Sequence, residues 1–133
     1  MAAEGLPFVE RSRTSNSRLA QELATWAERR GRSAIHDAIF RAYFAEDDDI
    51  AELSVLLRIA ESVGLPKDEA RRVLESREER EAVDAAWARV RRMGVTGVPT
   101  FVAADIALVG AQPYAALEQW AVEAGAERRT PEL

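Results

Sequence analysis

Gly94-Val95-Thr96-Gly97-Val98-Pro99-Thr100-Phe101-Val102, followed after a short gap by Val109-Gly110-Ala111-Gln112-Pro113, is where the grammar of this chain changes. Upstream of it apolar residues recur at helical spacing, and from Val95 the pattern turns β-rich. Gly94 stops the preceding helix, because glycine takes the left-handed backbone that closes a helix at little steric cost. Val98–Val102 and Ala107-Leu108-Val109 read as two strands, and the few residues between them imply an antiparallel pair. The turn Ala103-Ala104-Asp105 lacks the Asn-Gly or Asp-Gly pair that would make a tight hairpin certain. Pro113 suits the first turn of a last helix carrying Tyr114, Leu117, Trp120, Ala121 and Ala124, with Gly125 as its stop.

Toward the N-terminus the chain reads as five helices. Asn16 is a candidate N-cap ahead of Leu19, Ala20, Leu23, Ala24, Trp26 and Ala27, and Gly31 is the stop. A second helix is expected from Ser33, with Ile35, Ile39, Phe40, Tyr43 and Phe44 on one side. Asp47-Asp48-Asp49 breaks the pattern and places negative charge before a third helix, where the helix dipole favours it. That helix carries Ile50, Leu53, Leu56, Leu57, Ile59, Ala60 and Val63, and Gly64 ends it. Leu65-Pro66 turns the corner into a short fourth helix that opens at Lys67 or Asp68 and runs through Val73 and Leu74. Ser76-Arg77-Glu78-Glu79 fits a capping box opening a fifth helix to Met93, with Val83, Ala86, Trp87 and Val90 as its apolar residues. Leu6-Pro7-Phe8-Val9-Glu10 is a short apolar patch that Pro7 would confine to a sheet edge, and Arg11 to Ser15 reads as linker.

At 133 residues the chain is long enough to bury a core without metals or disulfides. The net charge of −5 is mild and the signs are interspersed, which argues against a nucleic-acid partner needing a basic face. No stretch approaches the roughly 20 apolar residues that span a bilayer, so no membrane partner is expected. Met1-Ala2-Ala3-Glu4-Gly5 lacks the charged and apolar regions of a signal peptide, and a cytoplasmic location is the default expectation.

Asn16-Ser17-Arg18-Leu19-Ala20, Phe40-Arg41-Ala42-Tyr43-Phe44 and Ala60-Glu61-Ser62-Val63-Gly64-Leu65 form an ordered series that ends in Gly94-Val95-Thr96-Gly97-Val98-Pro99-Thr100-Phe101. The series resembles the DsbA-like branch of the thioredoxin superfamily. It is most similar to the FrnE-type proteins, which neighbour the 2-hydroxychromene-2-carboxylate isomerases. The resemblance covers about Leu6 to Ala124. It implies an α+β fold, mostly α, with a helical insertion over residues 16–93, a ββα half of a thioredoxin-like fold over 94–125 and a frayed tail over 126–133, all in one domain. It also implies that Val98-Pro99 is a cis-proline loop facing a Cys-x-x-Cys pair on an N-terminal βαβ segment. Here that segment is expected to be missing, and the chain contains no cysteine at all. Disulfide exchange proceeds by thiolate attack on sulfur, so a chain without sulfur nucleophiles cannot perform it alone.

The resemblance makes Val98, Pro99 and Thr100 the candidate substrate-binding residues, since the backbone beside such a proline pairs with an extended substrate. The plainer reading, that they only shape a strand entry, carries more weight without an opposing active helix. No catalytic residue is expected. The isomerase relatives use a serine of the missing region, so Ser12 and Ser15 cannot inherit its role. His36, alone at the edge of a helix, reads as a surface or half-buried packing residue. Asp47-Asp48-Asp49 does not have the spacing of a calcium loop, and Gly94 and Gly97 are not followed by the Lys-Ser/Thr of a phosphate loop, so no metal or cofactor is expected. Trp26, Trp87, Trp120, Tyr43 and Phe44 read as core rather than as a ligand pocket.

Three functions compete: a redox-inactive relative of the thiol-disulfide oxidoreductases, a non-catalytic binding or assembly module using the proline edge or the helical face, and an isomerase-like enzyme acting on a small aromatic substrate. The first is preferred. Two strands without their neighbours leave an unpaired apolar edge, so a second copy or a complementing chain is the expected partner.

Overall fold

Six helices and one two-stranded antiparallel sheet give an α+β, mostly helical architecture among the described residues. The structure is a computed structural model that describes residues 5–10 and 12–127. Arg11 of the expected linker and residues 128–133 of the expected tail lie outside them. The chain forms two compact units, one up to Trp87 and one from Ala88 on.

The first unit contains α1 (Arg18–Arg29), α2 (Ile35–Ala45), α3 (Leu53–Ser62), α4 (Lys67–Ser76) and the start of α5 (Arg80–Arg92). α1 packs against α2, α3 and α4. The apolar spacing of α1 puts Ala20, Leu23, Trp26 and Ala27 into a core shared with Ile35, Leu56, Leu57, Val73 and Leu74. Leu23, Ile35 and Leu56 are wholly inaccessible to solvent, which is the burial that drives folding of this unit.

Several helix boundaries differ from the sequence reading. α1 opens at Arg18 with Ser17 rather than Asn16 at the N-cap, and Asn16 Oδ1 accepts the Arg18 N–H at 2.9 Å just ahead of it. α2 begins at Ile35 rather than Ser33, with Phe40 turned outward. α3 begins at Leu53, because the Asp49 carboxylate accepts the Ala51 N–H and holds Ile50 in a buried turn. Residues 5–10 form no strand, and the Val9 N–H donates to the Phe44 carbonyl at 2.9 Å.

The capping box at Ser76 is overturned. Ser76 is the last residue of α4, its hydroxyl donating back to the Val73 carbonyl, and Arg77 closes the helix in the left-handed conformation at φ 56°. The Glu78 N–H then reaches the Val73 carbonyl. This is the bond that Gly31 and Gly64, also at positive φ, allow after α1 and α3. An arginine replaces glycine here because of what its side chain does. Its Nε and Nη2 donate at 2.8 and 2.7 Å to the two oxygens of Glu22, a residue 1% exposed in the middle of α1. Arg18 adds a third donor at 3.0 Å. The paired donation from Arg77 lowers the Glu22 pKa, burial opposes it, and Arg18 assists. Glu79, equally buried, pairs with Arg29 at 3.0 Å.

The second unit holds the end of α5, then β1 (Thr100–Ala103), β2 (Ile106–Val109) and α6 (Tyr114–Glu123). Register pairs Thr100 with Val109 and Ala103 with Ile106. The connecting turn is tight despite its unfavourable sequence, with Ala104 and Asp105 at φ 47° and 62°. Two consecutive positive values match the twist of a two-residue hairpin. β1 starts at Thr100 rather than Val98 because Pro99 has no N–H to give to a ladder. Pro113 precedes α6 rather than sitting in its first turn.

Candidate functional site

The expected site residues Val98, Pro99 and Thr100 lie together at the entry to β1. The Val98–Pro99 peptide is cis. The Pro99 carbonyl accepts the Gly110 N–H at 2.8 Å, and Thr100 Oγ1 donates to the Gly97 carbonyl at 2.6 Å, so the loop is tied down on both sides of the proline. Val98 is 90% exposed.

Register decides which backbone groups remain for a partner. In an antiparallel pair, residues alternate between facing the neighbouring strand and facing away. Pro99 faces β2 through Gly110, so Phe101 and Ala103 do as well. The N–H and C=O groups of Thr100 and Val102, and the backbone at Val98, point to the outer edge. No strand covers that edge among the described residues. On one face of the hairpin the Trp120 ring of α6 meets Phe101 at a tilt of 52° with centroids 5.8 Å apart, and its Nε1 donates to the Ile106 carbonyl. Val102 and Val109 lie on the other face and remain half exposed.

The remaining candidates sit in the first unit. The three carboxylates at 47–49 diverge: Asp47 accepts from Ser12, Asp48 meets Arg58 at 2.6 Å and Asp49 caps Ala51. His36 is half-buried and pairs through Nε2 with Glu28 at 2.8 Å. Trp26 is core, as expected, whereas Trp87 is 40% exposed with its Nε1 donating to Gln21. Tyr43 and Phe44 pack edge to face at 5.0 Å and line a cleft of about 570 Å³. Its inner wall is Ala20 and Ala24 of α1, its aromatic wall is on α2, and Glu28 and His36 stand at the rim. Sequence reading weighed the aromatics as a group and took them as core rather than as a ligand pocket. The signal it missed was pairing by position, with small residues four apart on α1 opposite large ones on α2.

With this geometry in place, the chain is recognised as a member of the DSBA-like thioredoxin domain family, whose model matches residues 1–120. It is 34% identical over 77 residues to the uncharacterized protein YwbO of Bacillus subtilis (strain 168), a stretch covering 55% of this chain and 37% of that protein. Its fold matches the crystal structure of a probable DsbA oxidoreductase, SCO1869 from Streptomyces coelicolor, with a TM-score of 0.81 and 32% identity over 99% of this chain and 58% of that one. A crystal structure from Nitrosomonas europaea, provisionally named a protein disulfide isomerase, shares the fold at a TM-score of 0.65 and 22% identity, over 94% of this chain and 69% of that one. The chain therefore spans only part of the length of each relative.

Proposed function

We propose that this chain is the strand-accepting, non-catalytic part of a DsbA-type thiol-disulfide oxidoreductase system, and that Val98, Pro99 and Thr100 hold an extended polypeptide by its backbone. One observation carries the reading: an outward-facing edge at Val98, Thr100 and Val102 in a chain whose 133 residues include no cysteine. Sulfur chemistry would have to come from elsewhere, since thiolate attack needs a thiol. Main-chain pairing supplies the affinity in strand addition, and it is indifferent to the partner's sequence. The occupant of the edge is a second copy of the chain or a complementing chain, and the setting is the cytoplasm, which cell fractionation would test.

Val102→Pro is the discriminating variant. It deletes an outward N–H and leaves the ladder to β2 intact, which is where an edge strand tolerates proline. Sedimentation velocity should show self-association or capture of a complementing strand by the parent chain, and loss of both in the variant with unchanged circular dichroism. A parent chain that stays monomeric and binds no extended polypeptide would sink the reading. Association that survives Val102→Pro would move it away from this edge.

A further inference from the structure

We infer that the cleft between α1 and α2 binds a small planar aromatic molecule bearing a positive charge. The inference is independent of the strand edge, because every lining residue among the described ones lies in the first unit. A volume of about 570 Å³ falls within the range of small-molecule sites, and the composition does too: apolar walls with a few polar groups at one side.

The shape asks for a flat occupant. Ala20 and Ala24 put small side chains on the α1 wall beside Gln21 and Thr25, and α2 contributes the aromatic rings of Phe40, Tyr43 and Phe44. The Phe40 and Phe44 centroids lie 6.2 Å apart at 48°, and Tyr43 meets Phe44 edge-on. Phe40 is nevertheless 58% exposed. An aromatic ring this open beside two others has a face available for stacking.

The charge follows from what lines the cleft. Among the described residues no lysine or arginine does so, and the one carboxylate is Glu28, more than half exposed and held by His36 at 2.8 Å. An anion would enter beside Glu28, and the only basic group among the described lining residues is His36, which is already paired with that carboxylate. A cation gains that carboxylate and the negative π-face of Phe40. Gln21 is already committed, donating to Ser17 and accepting from Trp87, which fixes the floor rather than reading the ligand.

The test uses two planar probes of similar size and opposite charge, proflavine (cationic) and anthracenecarboxylate (anionic), titrated into the full chain by fluorescence anisotropy. Proflavine should bind saturably at one site per chain, about tenfold more tightly than the anion, as a favourable charge contact of this size implies. Glu28→Gln should weaken proflavine about fivefold and leave the anion unchanged or slightly improved. Phe40→Ala should weaken both probes about tenfold, with the helical circular dichroism unchanged because Phe40 is exposed. Equal binding of the two probes, no saturable binding of either, or indifference to Phe40→Ala would overturn the inference. So would a dimer in sedimentation that Phe40→Ala dissolves, since a second copy would then be the occupant.

Discussion

Arg77 sets backbone and side chain against each other, and replacing it separates the two. At φ 56° a residue with a Cβ costs roughly 1–2 kcal/mol relative to glycine. Against this stand two charge-assisted hydrogen bonds, 2.8 and 2.7 Å long, to a Glu22 carboxylate that is 1% exposed. Breaking a buried pair from one side costs about 3–5 kcal/mol. The lower end applies here, since the Arg77 side chain is 39% exposed and Glu22 keeps Arg18 at 3.0 Å. Arg77→Ala loses the pair and keeps the backbone cost, so it should destabilise by about 3 kcal/mol. Arg77→Gly recovers the backbone cost and should destabilise by only about 1–2 kcal/mol. Urea unfolding followed by far-ultraviolet circular dichroism near neutral pH measures both. Acid supplies an internal control. Glu22 has a lowered folded-state pKa, so its contribution is full above the unfolded carboxylate value of about 4.3 and disappears as pH falls through the folded value. The gap between the parent chain and Arg77→Ala should therefore close in that acid range. An Arg77→Gly chain as stable as the parent near neutral pH would refute the argument, because the guanidinium would then contribute nothing beyond offsetting its own backbone.

Two further outcomes are expected. Ala104→Gly, at φ 47° in the hairpin turn, should raise stability by about 0.5–1 kcal/mol, and a thermal melt showing no rise would mean the turn is not held in this form. The purified chain should show no insulin reduction above a buffer control, because it has no sulfur nucleophile to start the exchange; turnover in a preparation free of contaminating reductases would contradict this.

What was legible in the sequence had a local cause. Gly31, Gly64 and Gly94 announced helix ends, and each adopts the positive φ that ends a helix there. The apolar spacing of α1 and α3 announced the core they share. The misread positions depend on residues distant in sequence. Ser76-Arg77-Glu78-Glu79 has the form of a helix start, and only Glu22, 55 residues earlier, explains why Arg77 ends one instead. The antiparallel pair was expected from its spacing, and only its tight turn at Ala104-Asp105, between the paired Ala103 and Ile106, had no Asn-Gly or Asp-Gly to announce it. At the site, the position of Pro99 was legible from its motif. The cleft was not, since it needs α1 and α2 side by side before Ala20 and Ala24 are seen to face Tyr43 and Phe44.

Under the proposed strand pairing, the second unit constrains the kind of partner its edge would take. α6 has no fully buried residue, and the hairpin it touches is covered on the Phe101 side alone, leaving Val102 and Val109 at 45% and 50% exposure on the other. A two-stranded pair is marginal in water by itself and depends on what packs against it, here α6 on one face. An added strand would make only a few main-chain hydrogen bonds, each worth about 1 kcal/mol net. Ordering and immobilising a short peptide costs at least that much, so an isolated extended peptide should come and go quickly. Burying the two valines adds about 1 kcal/mol each, but only for a partner that brings its own apolar layer along with the strand. A folded element, supplied by a second copy or by a complementing chain, can do this and a free peptide cannot. The same edge would then serve two occupants on different timescales, with the lasting one distinguished by the layer it lays over Val102 and Val109.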